Sequence, residues 1–295
     1  MVRPANSVNP SLSFSLVVIL SIIWGLAFVA IRRAEFELTP ENLTLLRWII
    51  ASGTFLILAP FIGKPNKPIQ KNHVPRILLV SFASVLGYHL TLNYAETMVS
   101  AGLAGLLIAF GPIFIALLST IFLKEKVGSV LILALVLALV GTLILSIGAG
   151  LTFRQVAGPI AVIVAAFMYS VYSVGSKPLV KEYGALPTAV WLAVIGTIFT
   201  LPLFSFNFIA QISSLSPFGW LSVLYLAILS TVIANMILYT LIGDRAVSKL
   251  SVQLYLVPLV SLIGGIILLG ESLSILIIIG AGLLFSATAL ATHKH

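Results

Sequence analysis

Few residues of this chain have the chemistry to act, and nearly all of them lie inside apolar runs. Arg47 stands about seven residues into such a run, or ~10 Å deep at 1.5 Å per residue. A guanidinium at that depth is costly unless it is paired or reaches back to the surface. It suits an anion contact such as a substrate carboxylate, a gate pair with Glu96, or snorkelling to the outer boundary. His89 is the one histidine well inside a run. It suits proton coupling, since its charge changes near neutral pH, or a neutral hydrogen bond between helices. Around these two, polar and aromatic residues recur at helical spacing: Ser21, Trp24, Gly25 and Phe28, then Ser81, Ser84, Tyr88 and Thr91, with His89, Asn93 and Glu96 alongside. The pattern returns at Tyr169, Tyr172, Ser173 and Ser176, at Thr231, Asn235 and Tyr239, and at Gln253 and Tyr255. Each set falls on one side of a helix. Such faces line a cavity or form interhelical hydrogen bonds of ~0.6–2 kcal/mol each.

The familiar catalytic patterns are missing. No Walker A loop, GxSxG or HExxH occurs, and no His/Asp/Glu cluster has metal spacing. Cysteine is absent, which removes thiolate chemistry and disulfides. No cofactor or metal is expected. An intramembrane enzyme would have to be built on His89 with Ser84 or Tyr88, a poor constellation.

The elements that must position these residues follow from composition. The chain has 295 residues, of which 60% are hydrophobic and 8% charged, against about 25% charged in ordinary globular domains. Too little polar material remains to coat a soluble domain. The expectation is an all-α integral membrane protein with ten spans near 13–31, 43–62, 75–94, 101–122, 130–148, 158–176, 187–206, 218–240, 250–269 and 274–292, each close to the ~20 residues a bilayer requires. The first run is too long for a signal-peptide core and is read as retained. Thr39-Pro40-Glu41 and Ser216-Pro217 read as helix starts. The net charge is +8, but no basic patch interleaved with aromatics suggests nucleic acid. With the N-terminus inside, twelve of the 16 Lys and Arg fall in inner segments, three (Arg32, Arg33, Arg154) in outer ones, and Arg47 within a span. That bias places both termini in the cytoplasm of a cell (inner) membrane protein.

The chain repeats itself. Gly111-Pro112 leads to Glu125 and Val257-Pro258 to Glu271, with Pro and Glu 13 residues apart in both and an offset of 146. Pro40 and Pro187 are offset by 147. Two five-span halves result, residues 1–148 and 149–295, and an odd number of spans inverts one half relative to the other. Pro112 and Pro258, in mid-span, suit hinges. Glu125 and Glu271, in tight links, suit caps for the fifth and tenth spans, or a gate. The fifth and tenth spans are nearly all aliphatic and are expected to face lipid or a second copy in a homodimer.

Trp24-Gly25, Arg47, the Tyr94–Ala101 stretch and the two Pro-to-Glu elements resemble the drug/metabolite transporter superfamily, and within it the ten-span EamA-like group. The resemblance covers residues 14 to 292. It implies a 5+5 inverted repeat around a central cavity open to one side at a time, and export or exchange of small metabolites, often amino acids. Neutral, aromatic cavity walls suit amino acids, aromatic ones included, better than phosphates. The expected substrate-binding set is Trp24, Phe28, Ser84, Tyr88, His89, Asn93, Tyr169, Tyr172, Asn235, Tyr239 and Gln253. The expected gating and hinge set is Arg47, Gly111, Pro112, Pro258, Glu125 and Glu271. Translocation of a lipid-linked head group is the alternative.

Overall fold

The computed structural model describes residues 10–62, 67–123, 129–148, 156–244, 256–272 and 274–292. Every regular element among them is helical. The helices are α1 (Pro10–Ala34), α2 (Pro40–Ile62), α3 (Lys71–Glu96), α4 (Ala101–Phe122), α5 (Ser129–Gly148), α6 (Ala157–Tyr183), α7 (Ala185–Leu203), α8 (Pro217–Leu241), α9 (Leu256–Leu269) and α10 (Ile275–Thr292). A short helix, Asn207–Ser213, precedes α8. Seven of them, α1–α4 and α6–α8, are long and apolar enough to cross a membrane, and α9 and α10 contribute shorter apolar helices. Helix α5 is 20 residues without a charge. Outward-facing Ile, Leu, Val and Phe, such as Phe61, Ile147 and Ile267, are more than half exposed, as lipid contact requires.

Local signals set the starts. Ser216 Oγ accepts from Gly219 N at 3.1 Å, with Pro217 at the first helical position, and Ser100 Oγ accepts from Leu103 N at 3.2 Å. Gly184, at φ 95°, turns α6 directly into α7, a conformation that a Cβ would strain. Helix α6 runs to Tyr183 rather than ending near 176, because its last turns carry polar residues that a hydropathy reading drops.

Helices pack in related pairs. Helix α2 lies on α7, α4 on α9, and α5 along α10; α1 lies on α9, and α6 on α4. Small residues allow the close approaches. A Cβ on Gly105 would lie 2.2 Å from Ser261 Oγ, and one on Gly280 would lie 2.8 Å from Gly141 O. Side-chain bonds repeat at the same offset. Glu37 accepts from Ser216 N and Oγ, both at 2.7 Å. The equivalents of these residues 146 positions away make the counterpart contact: Tyr183 Oη accepts from Gln70 N at 3.0 Å. Ser52 Oγ and Thr197 Oγ1, 145 apart, meet at 2.6 Å.

Both α3 and α8 widen into π-helix at their centres, over Ala83–Leu90 and Tyr225–Ile233. Thr91 and Thr231 each donate to the carbonyl five residues back, Leu86 and Leu226, at 3.3 and 2.8 Å. Those bonds occupy carbonyls that the wider turn shifts out of α register. Such bulges concentrate at functional sites.

Candidate functional site

The two π segments and the middles of α1, α2 and α6 border a narrow, partly open cavity, lined by Trp24, Phe28, Arg47, Ser84, Tyr88, His89, Tyr169, Tyr172, Ser230 and Asn235, with Ala27, Ile31 and Leu92. A second, more apolar space of about 510 Å³ shares Trp24, Phe28, Tyr88 and Tyr169, and continues to Ile108, Ala109, Pro112, Ile115, Val257 and Pro258.

An aromatic chain forms the wall. Trp24 meets Tyr169 edge-on at 5.9 Å, Tyr169 lies 5.4 Å from Tyr88 and 6.1 Å from Tyr172, and Tyr172 lies 6.2 Å from Tyr239. Hydrogen bonds fix it. Trp24 Nε1 donates to Ser230 O at 3.2 Å. Tyr172 Oη lies 2.9 Å from Asn235 Oδ1 and 2.7 Å from Tyr239 Oη. His89 stacks against Tyr88 at 4.6 Å and Trp48 at 5.2 Å, and its Nδ1 is buried without a hydrogen-bond partner. An aromatic cage of this kind offers stacking, with a few polar atoms to orient what enters.

Arg47 is only 2% exposed, so it does not snorkel. Its Nε donates to Thr231 Oγ1 at 2.9 Å, and its Nη2 reaches Ser230 Oγ at 3.4 Å. The Thr231 hydroxyl proton is committed to Leu226 O, which leaves its lone pairs facing the guanidinium. These partners are neutral. The ion pairs among the described residues are Arg33–Glu37 and Lys67–Glu182, and Glu96 makes no hydrogen bond to Arg47. Arg47 therefore brings a fixed positive charge to the cavity wall with guanidinium donors to spare, a geometry suited to a carboxylate.

Other expected residues are placed differently. Asn93 is fully buried and donates from Nδ2 to Thr44 Oγ1 at 2.9 Å, joining α3 to α2 outside the cavity. Tyr239 stands behind Tyr172. Gly111 lies beneath the Tyr169 ring, and its carbonyl accepts from Ser170 Oγ at 3.0 Å. Just before Pro112, Ile108–Phe110 tightens to a 3-10 turn, where the missing proline N–H interrupts the α ladder. Pro258 lies in α9, and its ring joins the wall of the second space. Glu271 does not cap α10. Its Oε1 accepts from Ala101 N at 2.7 Å and its Oε2 from Gly102 N at 2.9 Å, so it caps α4. Ser274 caps α10 instead, accepting from Ile277 N at 3.3 Å. Glu125 and Gln253 lie outside the described residues. Trp191 packs on Tyr183 at 5.0 Å, and Tyr225 Oη donates to Ile23 O at 2.9 Å. The reading by helical period missed Ser230. It falls off the stripe of Thr231, Asn235 and Tyr239 and lies within the π segment of α8.

The EamA-like transporter family model matches this chain twice, over residues 11–147 and 156–292. The chain belongs to the EamA-like transporter family. Among similar EamA-like and related proteins is an uncharacterised transporter of Bacillus subtilis, YdfC, 33% identical over 88% of this chain and 83% of its own. A probable terminal-alkyne amino-acid exporter of Streptantibioticus cattleyicolor is 29% identical over 92% of this chain and 91% of its own. A probable amino-acid metabolite efflux pump of Escherichia coli is 25% identical over 92% of this chain and 91% of its own. A solved crystal structure shares the fold at TM-score 0.65 and 20% identity, covering 97% of this chain and 98% of its own. The EamA-like chain is thus a multi-pass membrane protein of a transporter family.

Proposed function

We propose that this EamA-like protein is a secondary transporter that exports or exchanges amino acids, those with aromatic or bulky apolar side chains foremost. One observation carries the reading: Arg47, buried in the cavity wall with neutral partners only, beside a cage of Trp24, Tyr88, Tyr169 and Tyr172. In this reading the guanidinium takes the α-carboxylate, and the rings take the side chain. The naming of two relatives as an amino-acid exporter and an amino-acid metabolite efflux pump supports it.

The architecture proposed with it is ten spans in two inverted halves, residues 1–148 and 149–295, with both termini in the cytoplasm of the inner membrane. The paired contacts at offsets of 145 and 146 support the two halves, and the bias of Lys and Arg supports the orientation. Two such halves can exchange conformations, and that exchange gives alternating access.

Purified protein in liposomes loaded with a labelled amino-acid mixture should release one chemical class selectively, without added nucleotide. Release of none of them, with lipid or other metabolites moved instead, would overturn the substrate assignment.

A further inference from the structure

The cavity-lining faces of α1 and α3 continue past the cavity to a pair of carboxylates. On α1, Trp24, Phe28 and Ile31 line the cavity, and Glu35 is the next position at helical spacing. On α3, Ser84, Tyr88 and Leu92 line it, and Glu96 is the next. Ile31 and Leu92 therefore form an apolar layer between the cavity and the two acids. Glu96 is 0% exposed, and all four carboxylate oxygens of Glu35 and Glu96 are buried with no hydrogen-bond partner.

The charged groups facing them each hold another partner, and the Arg32 charge offsets only part of the effect of burial on Glu35. Arg32 of α1 donates to the Glu96 main-chain carbonyl, and its guanidinium lies 5.8 Å from the Phe36 ring. Arg33 pairs with Glu37 at 3.0 Å. Glu271, before α10, is held by Ala101 N and Gly102 N. Arg47 of α2 is held by Thr231 and Ser230. The end of α1 packs on the last turns of α3, where Arg32 bonds the Glu96 main chain, and this brings Glu35 and Glu96 together. Two neighbouring carboxylates removed from water, without donors, cannot both stay ionised.

We propose that Glu35 and Glu96 form a proton-binding site beyond the Ile31–Leu92 layer, occupied while that end of the cavity is closed and emptied when it opens. On opening, water reaches the pair and the carboxyl O–H bond breaks. The proton passes to water, and the bonding electrons stay on the carboxylate. Closing requires a proton to return, so each cycle ties substrate movement to a proton. The inference rests on the transporter reading above and adds the coupling ion and its site. Burial raises the Glu35 pKa to about 8, which puts its release within reach of physiological pH.

The test has two arms. In the first, infrared difference spectra of the purified full-length protein follow the protonated-carboxyl C=O band as pH rises through about 8. With only 8 Asp and Glu in the chain, the band can be assigned. The wild type should lose intensity on that rise, and Glu35→Gln and Glu96→Gln should each remove part of it. Identical bands in wild type and both variants would overturn the proposal. So would loss of the band on adding sodium at fixed pH, which would make the ligand a metal cation. In the second arm, liposomes report amino-acid efflux with and without a pH gradient. The wild type should be stimulated by the gradient, and Glu96→Gln should lose that stimulation while retaining exchange at equal pH. Stimulation unchanged in Glu96→Gln would also overturn the proposal. If the wild type moves no amino acid, the substrate reading fails, and the infrared arm still decides the site.

Discussion

Two glutamates in the turn just past α1, two residues apart, have opposite environments. Glu37 accepts from the Ser216 N–H and hydroxyl and faces Arg33, which together hold its pKa below 4.5. Its contribution to stability is present above the unfolded value and is lost as pH falls through the lower folded one. Glu35 has no donor, and burial raises its pKa from 4.5 to about 8. Its protonated form suits the fold, so its contribution is complete below pH 4.5 and is lost as pH rises towards about 8. Thermal unfolding in detergent should therefore show a midpoint that falls over that range in the wild type and is flatter in Glu35→Gln. Equal slopes in the two proteins would show that Glu35 is hydrated in the folded state. The contrast between these glutamates is not legible in the sequence. It depends on whether α8 or α3 lies opposite, and nothing local specifies that.

At the scale of the helix, Glu271 shows how much a tight link can do for a distant element. Its carboxylate satisfies two of the N–H groups that the start of α4 leaves open. Bonds to a charged acceptor are worth roughly 1.5–3 kcal/mol. Glu271→Ala should accordingly lower the thermal midpoint by several degrees, with Glu271→Gln falling less; an unchanged midpoint would mean that water replaces the carboxylate. A cap was expected from the residue type and the link, but the expected client was α10. The actual client lies 169 residues away in sequence, across the α4–α9 contact, and only packing selects it. The cavity helices were more readable. Trp24, Phe28, Tyr88, Tyr169, Tyr172 and Asn235 share the α-helical period and do meet. Asn93 follows His89 at helical spacing, yet its amide donates to Thr44 of α2 instead of lining the cavity. Within the π segment of α8, Ser230 meets Trp24 and Arg47. A local change of helical pitch has no clear sequence signature.

For the whole molecule, composition alone announced a helical membrane protein, because a chain with 8% charged residues has no soluble shell. The Pro-to-Glu elements announced two related halves, and the bonds Glu37–Ser216 and Tyr183–Gln70 are what those halves look like when each reaches into the other. Such reciprocal contacts tie the start of one half's helix to the end of the other's. The proposed substrate contact lies at the centre of this assembly, where the buried Arg47 would receive a carboxylate. The most direct test is competition against efflux by an amino acid that the protein moves, and by its uncharged carboxamide, in wild type and Arg47→Gln. The account predicts that the wild type prefers the acid by about 10-fold or more, the ratio expected when a charge-assisted hydrogen bond of roughly 1.5–3 kcal/mol is lost, and that Arg47→Gln loses this preference while remaining folded. Equal discrimination by the two proteins would contradict it.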